Sequence, residues 1–347
     1  MRLRVVKFFF FLVVVVAAVG AFYLLTPYGP TQETFVDIVP GTGTPGIAKQ
    51  LQDAGIVRSR FAFEAVKLKN GGTLKAGEYR FDHPVTVSEV YARMHRGDVY
   101  TRTVLVPEGF NIFDIAQAVA AAKLGSAQDF LAAERKDTEL IARYFPGGVP
   151  QGTTLEGYLF PDTYKFSPHA TPEMMLAAMV KRFGQQAQKI GLQDADAARV
   201  VTMASLVEKE VHLDAERPTV AGVFENRLAA GMPLQTDPTV IYASLLNGTW
   251  TGVIHQSELH SDSAYNTYVH AGLPPGPICS PGLAALKAAM HPAKTEYLYF
   301  EANPDGSTKF ATTMEEHGAD VTSYRAATGD VAVAAPAKAP VKVKRRR

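Results

Sequence analysis

The stretch VVTMASLVEKE, residues 200–210, decides how the chain is read. Steps of three, four and seven place Met203, Leu206, Val207 and Glu210 on one helical face. Glu208 falls instead with Val201, Ala204 and Ser205, roughly 160° from Glu210 at ~100° per residue. A helix that is apolar nearly all round belongs at the centre of its domain. Glu210 ends this one, on the face that carries the bulkiest apolar side chains. Burial raises a carboxyl pKa, and the negative end of the helix dipole pushes the same way. A carboxylic acid kept protonated near neutral pH is what cleavage of a glycosidic bond requires. The competing reading pairs Glu210 with Arg217 on a solvated surface.

The surrounding pattern predicts a helix-rich domain over 166–325. Helical spacing runs through Met174–Phe183 and Ala195–Val211, and another helix is expected at Gly282–Met290. Tyr297–Phe300 and Lys309–Thr312 read as a hairpin. Between Met232 and Pro281 the chain is dense in Pro, Gly, Tyr, Asn and Thr, a long polar loop of the kind that carries sites.

Two smaller regions precede this domain. Residues 36–98 open with the strand-like Phe35–Val39 and a Pro40-Gly41 turn. Helices around Ile47–Ile56 and Phe61–Leu68 and a returning strand at Lys75–Phe81 follow. Residues 101–165 restart in the same way, with Thr103–Val106, Pro107-Glu108-Gly109 and a helix marked by Ile112, Ile115, Ala116 and Val119. The two openings suggest a short internal duplication. The first region resembles a LysM module, which implies binding of N-acetylglucosamine-containing glycans; the alternative is a plain α+β spacer.

The ends define the compartment. Phe8–Leu25 (FFFFLVVVVAAVGAFYLL) is an uncharged apolar run of 18 residues, about 27 Å of helix. Arg2, Arg4 and Lys7 precede it and no Lys or Arg follows until Lys49. The positive-inside rule then puts residues 1–7 in the cytoplasm, 8–25 in the plasma membrane as a single pass, and the body outside. A cleaved signal peptide is the alternative, and the body is exported in either case. Residues 326–347, rich in Ala, Pro and Val with a basic terminus, are expected to be a disordered tail. A net charge of +1, with basic residues gathered only at the two ends, gives no footprint for nucleic acid. The single cysteine, Cys279, forms no internal disulfide and reads as a small packed residue. His255, His260, His270, His291 and His317 lack the spacing of a zinc site, and no Gly-x-Ser-x-Gly elbow occurs. Neither a metal nor another cofactor is expected.

The chain contains, in order, LEGYLFPDTY at 155–164, ASLVEKE at 204–210, FENRL at 224–228, LQTDPTVIY at 234–242, AYNTY at 264–268, GLPPGPI at 272–278 and HPAKTEYLYF at 291–300. Together these segments resemble the endolytic murein transglycosylases of the MltG (YceG-like) type. The resemblance covers residues 100–325, and an anchor, a LysM-like unit and a catalytic domain are the architecture it implies. It makes the second Glu of Glu-Lys-Glu, Glu210, the catalytic residue. Thr follows that Glu in the family, whereas Val211 stands here. The implied reaction cuts the bond between N-acetylmuramic acid and N-acetylglucosamine within peptidoglycan strands and leaves 1,6-anhydro ends. Gln235, Thr236, Asp237, Tyr265, Asn266 and Tyr268 offer donors, acceptors and stacking faces as candidate sugar contacts, about half of them expected to touch substrate. Their other reading is loop scaffolding. Glu156 is read as structural, and Asp237 is the one candidate for the second carboxylate that a hydrolase needs.

The expected fold is therefore α+β: one transmembrane helix, a LysM-like unit, a second small unit, a helix-rich catalytic domain with a β-hairpin, and a tail. The expected partners are glycan strands and membrane-bound peptidoglycan synthases. A hydrolytic muramidase and a non-catalytic peptidoglycan-binding scaffold are the alternatives in function.

Overall fold

The computed structural model describes residues 2–146, 154–303 and 305–328. The chain forms two compact units. One comprises the chain to Val104 together with Ala121–Leu124 and Tyr164–Thr171; the other comprises Leu105–Ala120, Gly125–Thr163 and the chain from Pro172. The sequence pattern suggests three regions because the first two each open with a strand and turn and the third with helical spacing, but the middle one divides its residues between the two units.

The first unit begins with α1 (Arg2–Leu25), which is long and apolar enough from Val5 to Leu25 to cross a membrane and fits a single-pass anchor. The order that follows is β1 (Thr34–Ile38), α2 (Thr44–Asp53), α3 (Arg60–Asn70), β2 (Gly77–Phe81) and α4 (Val87–Arg96). β1 and β2 pair antiparallel, with Val36 opposite Tyr79 and Ile38 opposite Gly77. The two-residue period of a strand sends Val36, Ile38, Tyr79 and Phe81 inward. They pack on Leu51, Phe63, Val66, Val90 and Met94 from the helices, and Leu24 at the end of α1 joins the same core. Thr86 caps α4 by accepting from the Glu89 amide, and Gly97 ends it in the left-handed conformation.

Next come β3 (Arg102–Val106), α5 (Ile112–Ala121), α6 (Ala127–Lys136) and β4 (Asp162–Phe166), with β3 paired to β4. The succession strand, helix, helix, strand thus occurs twice, each time with its two strands paired. The opening turn is also shared: Gly41 and Gly109, each third after its strand, have φ of 90° and 79°, which glycine adopts without strain.

In the second unit α7 (Pro172–Ile190) leads to α8 (Ala197–Glu210), α9 (Arg217–Ala229), α10 (Asp237–Leu246), α11 (Gln256–Leu259) and α12 (Leu283–Met290). The antiparallel hairpin β5 (Tyr299–Ala302) and β6 (Thr308–Ala311) precedes α13 (Met314–Thr328). Every residue of α8 from Val200 to Val207 is buried, and α12, α9 and α10 pack around it. The central helix expected from its all-round apolarity is where the pattern puts it. One expectation needs correction: the stretch from Met232 to Pro281 is not a continuous loop. Thr236-Asp237-Pro238 starts α10, with Pro in the first turn where no amide partner is lost. Of the expected tail, residues 326–328 belong to α13, and residues 329–347 lie outside the described residues.

Candidate active site

Glu210 is the last residue of α8, where the helix leaves the core. A cavity of about 330 Å³ opens there, lined by Glu210, Arg227, Gln235, Asp237, Tyr268 and residues of the hairpin and α13. Burial lifts the Glu210 carboxyl to about 7, and nearby Asp237 adds to the rise. A hydrogen bond from Thr236 and the charge of Arg227 oppose it. The Thr236 hydroxyl donates to Glu210 Oε1. That hydroxyl occupies the N-cap position of α10 yet makes no cap bond, since it is committed to the acid. Val211, which stands where the family has Thr, is buried, so the hydroxyl that meets Glu210 comes from another element.

The loop carrying Gln235 to Asp237 is pinned from beneath. Gln235 adopts a left-handed φ of 53°, unfavourable for a residue with a Cβ, and its amide donates to the Thr267 carbonyl at 3.1 Å. Thr267 Oγ1 accepts from the Thr236 amide at 3.1 Å and meets Thr239 Oγ1 at 2.9 Å. Tyr268 donates to Asp237 Oδ1 at 2.5 Å. Burial and the adjoining Asp237 carboxylate push the Tyr268 phenol upward, so it remains a donor.

Of the six candidate sugar contacts, Gln235, Asp237 and Tyr268 line the cavity and Thr236 is bonded to the acid. The other two lie among loop-forming contacts. Asn266 is fully buried, its amide donating to the carbonyls of Glu258, Leu259 and Ser261 and its Oδ1 accepting from the Tyr268 amide. The Tyr265 ring packs 5.0 Å from Tyr242, and burial raises its phenol to about 12.

Arg227 was not singled out by the sequence, where an Arg in the last turn of a helix reads as an exposed partner of the dipole. It is buried. Its guanidinium donates to the Leu234 and Leu298 carbonyls at 2.6 Å each and lies 5.3 Å over the Tyr299 ring. One side chain thereby ties the Gln235 loop to the hairpin and brings a cation to the cavity. Desolvation lowers its own pKa from a high starting point. Phe300, Glu301, Thr308 and His317 also line the cavity, and none of them was named as a sugar contact, because only the tertiary fold brings the hairpin and α13 to Glu210.

Glu208 behaves differently from Glu210, as the helical angle requires. It accepts from the Gly282 amide at 2.9 Å and pairs with Arg217 at 3.0 Å, both side chains only 5% exposed. Arg217 also bonds Asp214, so the reading that gave Arg217 to Glu210 is not what the structure holds. Glu156 is fully buried, accepting from the Ile112 and Gly157 amides, and desolvation raises it to about 8. Cys279 is buried, its thiol directed at the Ser205 carbonyl. Among the described residues no group of three or more His, Cys, Asp or Glu could hold a metal ion.

Comparison with known proteins gives this geometry a family. The chain is 34% identical over 312 residues to a Bacillus subtilis protein named endolytic murein transglycosylase, covering 85% of this chain and 86% of that one. It is 31% identical over 318 residues to a Streptococcus pneumoniae protein of the same name, covering 83% of this chain but only 58% of that longer relative. A crystal structure of a YceG-like protein from Listeria monocytogenes superposes with a TM-score of 0.53 at 32% identity, covering 84% of this chain and 99% of that one. The model of the YceG-like family matches residues 36–323, so the chain belongs to the YceG-like family.

Proposed function

We propose that this chain is an endolytic murein transglycosylase, a lyase that cuts peptidoglycan strands through Glu210. The observation that carries the reading is a carboxyl raised to about 7, hydrogen-bonded by Thr236 and opening into a polar cavity. Protonated Glu210 donates its proton to the oxygen linking N-acetylmuramic acid to the next N-acetylglucosamine, and the C1–O bond breaks. The carboxylate so formed takes the proton of the muramoyl 6-hydroxyl as that oxygen closes on C1, which yields the 1,6-anhydro ring and regenerates the acid. One residue serves as acid and then base because the substrate supplies the nucleophile. The substrate's acetamido group stabilises the positive charge at C1. Gln235, Asp237 and Tyr268 are the proposed sugar contacts, with Tyr265 and Asn266 shaping the loop behind them.

Asp237 supports a second reading. It lies in the same cavity, and a water-using glycosidase employs two carboxylates. Uncrosslinked peptidoglycan strands incubated with wild type and Glu210→Gln, with products read by mass spectrometry, separate the two. Products one water lighter than reducing-end sugars, absent with the variant, are expected. Reducing ends would assign hydrolysis and make Asp237 the candidate second carboxylate, and binding without cleavage would leave a scaffold.

The same proposal places the N-terminus in the cytoplasm and the body outside. The paired strand-helix-helix-strand order of the first unit supports the LysM-like reading, and glycan binding by that unit follows from it. An anchored cutter working on new strands belongs beside the synthases that make them; failure to cross-link to any synthase in membranes would remove that partner.

A further inference from the structure

The anchor and the first unit leave no gap between them. From Val5 to Leu25 the apolar helix has 21 residues, about 31 Å at ~1.5 Å each, just enough for a ~30 Å hydrocarbon core. Its last turn touches the unit on one side only, and Leu25 stays 70% exposed. Leu24 packs on the first unit's core, and the Arg58 guanidinium lies 4.7 Å from the ring of Phe22 and 4.7 Å from that of Tyr28. Whatever the unit presents beside the end of α1 therefore meets the lipid boundary.

α3 packs against α1, as does α4. It has two apolar faces. Phe63 and Val66 point into the core. Phe61, Ala65 and Leu68, spaced by four and three, fall on the opposite side, where Phe61 is 65% and Leu68 87% exposed. Basic side chains accompany this outer stripe: Arg60, whose guanidinium lies 4.7 Å over the Phe61 ring, and exposed Lys69, with Arg58 one turn earlier in the chain. Glu64 is the one acid beside the stripe. A single exposed leucine needs no explanation, but two large apolar groups on one face, flanked by cations and next to an anchor, match a helix that lies in a membrane interface.

We propose that α3 is an interfacial membrane-contact surface, with Phe61 and Leu68 set into the boundary between headgroups and acyl chains and Arg58, Arg60 and Lys69 against anionic headgroups. The contact fixes the tilt of the first unit against the membrane, which a lone helix leaves free. The inference rests on reading α1 as an anchor and is independent of the chemistry at Glu210.

The test uses the full chain in protein-free vesicles of phosphatidylglycerol and phosphatidylcholine. Single nitroxide labels go on Val13→Cys, Phe61→Cys, Leu68→Cys and Lys189→Cys, with the wild type as labelling control because Cys279 is buried. Power-saturation EPR then compares access to oxygen with access to a water-soluble nickel chelate. Positions 13, 61 and 68 are expected to favour oxygen and position 189 the chelate, with the signal at 68 weakened by Arg60→Gln/Lys69→Gln. Aqueous signatures at 61 and 68 alongside a lipid signature at 13 would overturn the proposal. Cover at 61 and 68 only in native membranes would give the stripe to a protein partner and overturn it equally. An aqueous signature at 13 would instead remove the anchor itself, a failure distinguishable from the others.

Discussion

Glu210 and Thr236 make a pair whose behaviour with pH can be worked out. In the proposed reaction the acid form must be present for the leaving oxygen to be protonated, and burial lifts the carboxyl to about 7. The rate constant kcat/KM is therefore expected to fall as pH rises through 7, by about tenfold per unit beyond it. Thr236 donates to the carboxyl and so favours its ionised form. Thr236→Val removes that bond and should move the descending limb to higher pH, even as looser positioning lowers the maximum. A limb that stays in place would mean that another group sets it. Glu210→Gln, which keeps shape but cannot supply a proton, should reduce turnover by about 10²–10⁴-fold. At this scale the setting of Glu210 was legible and that of Arg227 was not. Helical spacing placed Glu210 on the face of Met203, Leu206 and Val207, whereas buried Arg227 looked like any basic residue near a helix end. No local pattern reports that a guanidinium will spend its donors on two distant carbonyls.

Among the elements, α8, α12 and the hairpin were readable because each carries an unbroken periodicity. α10 was not, because Thr236-Asp237-Pro238 serves equally as a turn and as a helix start, and the polar residues around it favoured the turn. How tightly these elements pack gives two tests. Gly222 lies within α9, and a Cβ there would come 2.3 Å from the Ala293 carbonyl oxygen. Gly to Ala inside a helix ordinarily stabilises by about 1 kcal/mol. Here the neighbour is backbone, held by the Ala293 amide donating to the Pro218 carbonyl at 2.8 Å. Gly222→Ala is expected to reverse the usual sign and destabilise by roughly 1–3 kcal/mol, seen as a lower urea midpoint. Glu156 gives the second test. Its carboxyl stands near 8 in the fold against an ordinary value of 4.5, so its protonated form is the one the fold favours. The stability it contributes is complete below about 4.5 and is lost as pH rises through about 8, on the order of a few kcal/mol. Glu156→Gln cannot titrate, and its amide nitrogen cannot accept from one of the two backbone N–H groups. The variant should be less stable at low pH yet lose less between about pH 5 and 9, and parallel pH curves for the two proteins would refute the assignment.

For the whole molecule, composition located the apolar helix α1, yet the body divides differently from its three sequence regions. Segmentation by strand-and-turn openings cannot see that Ala121–Leu124 and Tyr164–Thr171 belong with the first unit. The orientation, by contrast, rests on charge alone and can be tested by moving it. Arg2, Arg4 and Lys7 stand before the apolar helix and the next basic residue is Lys49, so translocating the body past the helix is favoured over translocating the N-terminus. The helix itself is indifferent to direction, because no acidic or basic residue interrupts it from Phe8 to Leu25. In cells stripped of their wall, protease added outside should digest the body and spare a tag on the N-terminus. Replacing Arg2, Arg4 and Lys7 together with Gln should raise the fraction of chains whose tag is digested, since the bias then falls to residues far beyond the helix. A body that resists protease until the membrane is permeabilised would put Glu210 on the side away from the wall, and the proposed substrate would be out of its reach.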